Sequence, residues 1–172
     1  MPKNLFYLHI IRFAKGVSPR FFDWKYMIDP DLKLQKPLED YMESLEKCTP
    51  RTVMLFENLV DIGFVFIDPY HRCVGSQAFQ KLLVGRYELH QKPKYKIYDF
   101  IWGRREATAY IKWRYSFELP ASRFSRQEKS NRASIEGMSE LVFSGDLKLL
   151  SHTDFWGEHE DFNTKAYKLM MF

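Results

Sequence analysis

Residue 93 divides this chain into two kinds of pattern. Before it, apolar residues recur every third or fourth position; after it they recur every second. In ATAYIKWRYSFEL, Ile111, Trp113, Tyr115 and Phe117 alternate with Lys112, Arg114, Ser116 and Glu118. A period of two is a strand with one buried face, and a period of 3.6 is a helix with one buried stripe. Helices first and antiparallel strands afterwards predict an α+β domain with the helices segregated on one face of the sheet. The predicted strands are 94–102, ATAYIKWRYSFEL, SIEGMSELVF and LKLLSHTDFW, with Ser144-Gly145-Asp146 as a hairpin turn. A short helix over about residues 158–169 closes the chain.

In the first half, DPDLKLQKP at 29–37 reads as a proline-bounded linker. It separates a basic, aromatic extension, 1–36, from a folded domain, 37–172. Leu38, Tyr41, Met42 and Leu45 form the stripe of a first helix. Thr49 and Pro50 have the chemistry of an N-cap and first helical position for a second helix carrying Val53, Phe56, Leu59 and Val60. Gly63 breaks into a strand, Phe64–Ile67, that ends on Asp68. Gly75-Ser76 opens a third helix with Phe79, Leu82, Leu83 and Tyr87 on its apolar stripe. Residues 120–133, rich in arginine, read as a long solvated hairpin connection, with a lid as the alternative.

Aromatics make up 17% of the 172 residues, which suits either bulky packing or an aromatic-lined cavity for a small molecule. The net charge of +4 is uneven: residues 1–36 hold seven Lys/Arg against three Asp/Glu, and the remainder is balanced. A neutral body argues against a nucleic-acid groove, which needs clustered cations. The apolar stretch Leu5–Ile11 is interrupted by His9 and followed by Arg12, Lys15 and Arg20, so neither secretion nor membrane contact of residues 1–30 is expected, and a cytoplasmic protein is. Cys48 and Cys73 stand in no metal-binding spacing and are read as free thiols; a disulfide between them stays open. No Gly-rich phosphate loop, HExxH or GxSxG occurs, so neither a cofactor nor a metal is expected.

Two places hold residues suited to chemistry. Asp68 ends a strand beside Phe66, Ile67 and Tyr70; partial desolvation there makes a carboxylate a better base. The plainer alternative is an Asp-Pro step that starts a turn. His152, Asp154 and Trp156 share one face of an extended strand, where Asp154 can orient His152 as a base near neutral pH. Ser139 and Trp113 on neighbouring strands look into the same space. His71 reads as exposed and Cys73 as a small buried residue.

The stretches FVFIDPYHRCVGSQAFQKLL, TAYIKWRYSF and IEGMSELVFSGDLKLLSHTDFWGEHE, in this order and spacing, resemble the nuclear transport factor 2-like superfamily, nearest its SnoaL-like branch. The resemblance spans about residues 37–165. It implies a cone: a strongly curved, mixed but mainly antiparallel sheet wrapped around three N-terminal helices, with a pocket inside and dimers through the sheet. By the same resemblance, Asp68 matches the general base of ketosteroid isomerases and Tyr41 their oxyanion tyrosine. Ser139 falls where those enzymes carry a protonated aspartate, so steroid isomerisation is not implied. The expected function is binding of a small, partly apolar molecule, with cofactor-independent isomerisation, cyclisation or dehydration if catalytic. Asp68 or His152 would be the base, Tyr41 and Ser139 oxyanion donors, and Phe66, Trp113, Tyr115 and Trp156 the pocket walls. A non-catalytic binding or dimerisation module of the same fold is the alternative.

Overall fold

The computed structural model describes residues 32–118 and 132–157. The arginine-rich connection, the closing helix and most of the basic extension lie outside the described residues.

Helix α1 spans Leu32–Glu46. It buries Leu34, Leu38, Tyr41 and Leu45 at spacings of four, three and four. Leu34 extends the stripe one turn before Leu38. That turn carries the helix back through Pro37, so residues 32–36 belong to the folded unit and not to a linker. The second helix is shorter than its pattern suggests: a 3-10 turn at Val53–Leu55 runs into α2, Phe56–Leu59. Thr49 does not cap it. Thr49 and Thr52 instead cap each other's backbone N–H, which closes a local turn around Pro50.

Strand β1, Val60–Ile67, starts before Gly63 and takes it in. A hairpin at residues 68–71 leads to β2, Arg72–Val74, a strand that the sequence patterning did not suggest. Gly75 then turns the chain into α3, Ser76–Leu89, at φ 82°, a left-handed backbone that favours glycine. Strands β3 (Gln91–Trp102), β4 (Thr108–Glu118), β5 (Arg132–Phe143) and β6 (Leu149–Phe155) complete the sheet. Pro93 lies within β3, which tolerates it because β3 is an edge strand.

The sheet order is β2-β1-β6-β5-β4-β3. Among the described strands only β1 and β6 pair in parallel, so the sheet is mixed and mainly antiparallel. Three short or medium helices pack against it, but one strand pair precedes α3, so the three are not a continuous N-terminal block. Ladder irregularities between β1 and β6, within β3–β4 and within β5–β6 bend the strands. The β5–β6 irregularity matters most. Val142 pairs with Ser151 and Phe143 with Leu149, so β6 carries one extra residue, Leu150. Strict alternation from buried Leu149 would turn His152 outward. The extra residue resets the phase and puts both His152 and Asp154 inside.

The core fills much of the concavity. Phe56, Phe64 and Phe66 pack around Phe79 with centroids 4.9–5.4 Å apart, and Tyr41 meets Phe56 edge-on. No described helix is long and apolar enough to cross a membrane.

Candidate active site

A hydrogen-bonded chain of five buried side chains runs across the inner face. Trp113 Nε1–H donates to Ser139 Oγ at 2.7 Å. Ser139 Oγ donates to Asp154 Oδ1 at 2.5 Å. His152 Nε2 meets the same Oδ1 at 2.7 Å, and His152 Nδ1 meets the Tyr41 hydroxyl at 2.7 Å. The end groups decide the direction. Indole N–H only donates, so the serine proton must point to the carboxylate. An ionised Asp154 only accepts, so His152 donates from Nε2, and the direction of its Nδ1 bond with the Tyr41 hydroxyl follows the state of the ring.

Local structure sets this chain up. Trp113 and Gly137 are register partners, and the indole lies across Gly137 to reach Ser139 two residues further on. A Cβ at Gly137 would sit 2.5 Å from the Trp113 ring and 2.9 Å from the Phe155 carbonyl oxygen, so only glycine leaves the indole that path. Ser139 pairs with Asp154 across β5–β6, and α1 delivers Tyr41 from above.

Burial pushes the Asp154 carboxyl up, but the adjacent His152, the Ser139 hydroxyl and the field of Arg86 outweigh it and hold Asp154 below the usual carboxylate range. Burial, reinforced by Asp154, raises the Tyr41 hydroxyl well above an ordinary phenol.

The chain opens onto a pocket of about 40 Å³ lined by His152 and Asp154, with Phe66, Phe79, Leu83 and Leu45 as its apolar side. Arg86, Tyr87, Tyr95, Tyr115 and Cys48 complete the lining. At roughly 10–15 Å³ per water, the space holds about three waters. Ligand cavities commonly run to about 300–1,000 Å³, so a whole steroid-sized molecule does not fit. Both hydrogen bonds to Asp154 fall on Oδ1, which leaves Oδ2 without one among the described residues.

The sequence-predicted residues therefore part company. Tyr41, Ser139, His152 and Asp154 come together, with Trp113 as the chain's outer end. Phe66 and Tyr115 line the pocket; Trp113 lies behind Ser139, and Trp156 packs on Tyr70 at 5.3 Å, away from the pocket. Tyr41 points its hydroxyl at His152, not at the pocket. Asp68 stands apart from them. Its carboxylate is fully buried at the hairpin and does not line the pocket. Oδ1 accepts from the Tyr70 and His71 N–H groups at 2.8 and 2.6 Å and contacts His71 Nδ1 at 2.9 Å. Oδ2 accepts from Arg86 at 2.6 Å. A carboxylate with its lone pairs so engaged ties the turn to an ion pair. His71, expected to be exposed, is its partner.

Sequence reasoning missed Arg86 and Tyr95. Arg86 follows buried Phe79 and Leu83 at spacings of four and three, so it lies on the inner face of α3. Its charge had kept it off the apolar stripe. Tyr95 sits in the irregular start of β3, where alternation from Gln91 breaks. Among the described residues no group of three or more His, Cys, Asp or Glu side chains is placed to hold a metal ion.

No family model matches the chain, and no curated protein matches it. Solved structures do match in shape. An NTF2-like protein of unknown function from Exiguobacterium sp. 255-15 superposes with a TM-score of 0.58 at 11% identity, covering 72% of this chain and 99% of that one. A SnoaL-like polyketide cyclase candidate from Shewanella putrefaciens CN-32 gives 0.58 at 15% identity, over 81% and 97%. A steroid delta-isomerase from Pseudomonas aeruginosa gives 0.56 at 9% identity, over 81% and 90%. Similarity at this level of identity is one of fold.

Proposed function

We propose that this chain, which adopts the nuclear transport factor 2-like fold, binds the polar end of a small molecule in its pocket and moves a proton there, with Asp154 as the base. The observation that carries the reading is Asp154 itself. It is a buried carboxylate on a pocket wall, with one oxygen engaged by two donors and the other without a hydrogen bond among the described residues. The interactions that hold it ionised weaken it as a base but fix its orientation, and it is position on the pocket wall that fits it to take a proton. Because Ser139 and His152 both donate into Oδ1, the captured proton stays on Oδ2 and returns from there to another atom of the ligand. The chemistry is cofactor-independent isomerisation, cyclisation or dehydration. The pocket's size confines it to the reacting end of the ligand, with the remainder outside.

The test is solvent deuterium exchange into the C–H positions of acetone and acetylacetone, followed by NMR. The protein should accelerate exchange, and Asp154→Asn should remove about a hundredfold or more of that acceleration. No acceleration, or an unchanged Asp154→Asn, overturns the reading. A non-catalytic module is the second reading, favoured by the phenylalanine-filled cone and the small pocket. Ligand binding without exchange would select it.

A further inference from the structure

Asp68 holds a second residue that reaches the pocket. Arg86 spans the hairpin and the pocket: its Nη2 donates to Asp68 Oδ2 at 2.6 Å, and its guanidinium carbon stands 5.7 Å from the centre of the Phe66 ring. One hydrogen bond uses one of five guanidinium donors. The remaining four belong to a side chain that is 20% exposed and lines the pocket. The Tyr95 hydroxyl lines the same pocket and is buried; Ser139 lies near it, but no partner among the described residues meets it with good hydrogen-bond geometry. A pocket of about 40 Å³ thus presents a fixed guanidinium and a spare hydroxyl facing the same small volume as Asp154.

We infer that Arg86 and Tyr95 form an oxygen-binding subsite, which takes a carbonyl or carboxylate oxygen of the ligand, and that Asp68 is the residue that positions Arg86. Arg86 offers several N–H donors in a planar fork, the geometry that recognises such an oxygen. Asp68 is itself tied by two backbone N–H groups and His71, so it holds the guanidinium from a rigid turn. It also offsets the arginine's charge. A cationic ligand would meet the guanidinium head-on. An oxygen acceptor completes the site and directs the adjoining carbon atoms toward Asp154. The inference deepens the proton-transfer reading of this pocket, yet binding can be measured without turnover.

The test uses the full chain labelled with nitrogen-15, titrated separately with acetate, acetone and methylammonium. The arginine Nε–H resonance lost in Arg86→Lys identifies the Arg86 signal. Saturable shifts of that signal with acetate or acetone are expected, and acetate alone or acetone as well distinguishes a carboxylate from a carbonyl site. Read from the backbone amide signals that shift in the same titration, Arg86→Gln and Tyr95→Phe should each weaken the binding, Arg86→Gln by about tenfold or more. Asp68→Asn should weaken it and broaden the Arg86 signal, while Asp68→Glu restores part of both. Retention of the Trp113 indole N–H resonance shows that a variant is folded; if Arg86→Gln is not, Arg86→Lys and Tyr95→Phe carry the test. Tighter binding of methylammonium, no saturable shift with either oxygen probe, or unchanged affinity in the folded variants overturns the inference. Asp154→Asn should lose exchange, and the Arg86 and Tyr95 variants should lose binding of the neutral acetone probe, so the two readings fail separately.

Discussion

Replacing Ser139 with alanine removes one oxygen atom at the centre of the buried chain, and the structure says what that costs. The residue is 0% exposed, so no solvent can replace the hydroxyl. Asp154 loses a charge-assisted donor at 2.5 Å, worth about 1.5–3 kcal/mol. The Trp113 N–H loses its acceptor at 2.7 Å and stays buried, a further cost of about 1–3 kcal/mol. Together these predict destabilisation of about 2.5–6 kcal/mol, a large share of the roughly 5–15 kcal/mol that holds a domain folded. Urea unfolding followed by far-ultraviolet circular dichroism measures it, provided the slope with denaturant is unchanged. A double-mutant cycle separates the two contributions. In Ser139→Ala combined with Trp113→Phe the orphaned N–H no longer exists. The double variant should therefore cost about 1–3 kcal/mol less than the sum of the singles. A Ser139→Ala cost below about 1 kcal/mol, or additivity within about 0.5 kcal/mol, would refute the polarity assigned to this chain.

Two other outcomes follow from the same geometry. Gly137→Ala should destabilise the fold by about 1–3 kcal/mol in the same urea assay. The new methyl group meets the Trp113 ring and the Phe155 carbonyl, and neither can move without breaking the chain or the β5–β6 ladder; a neutral effect would show that the indole has another place to go. At alkaline pH, burial holds the Tyr41 and Tyr95 hydroxyls well above the ordinary phenol value. A raised folded pKa means their contribution is complete below about pH 10 and is lost as pH rises past it. Ultraviolet titration should show these two phenols ionising only with unfolding, and reversible ionisation of every tyrosine in the folded protein would contradict that.

The change of period at residue 93 was enough to read the run of strands β3 to β6, the alternation of β4 and the tight turn after Phe143, because both periods report backbone geometry directly. Element ends were harder to read. Pro37 looked like a boundary, yet the burial of Leu34 extends α1 through it. Pro93 looked like a break, yet β3 runs through it at the sheet edge, where a missing N–H costs little. Strand β2 has only three residues, too few for a period to register.

The site divides along the same line. His152 and Asp154 are two apart in an extended strand, so their shared face is a local property and was readable from spacing. Which face they share was not readable, because it depends on the extra residue Leu150 in the pairing of β6 with β5. Asp68 shows the limit most clearly. Its neighbours in sequence suggested a desolvated base, while its neighbours in space include Arg86, 18 residues away on another element. The sequence by itself determined which residues carry usable chemistry and which backbone periods they ride on, since both are properties of a few consecutive residues. Only the tertiary structure decided which carboxylate faces the pocket. Partnership among buried charges is settled by distances between elements, and no local pattern records those.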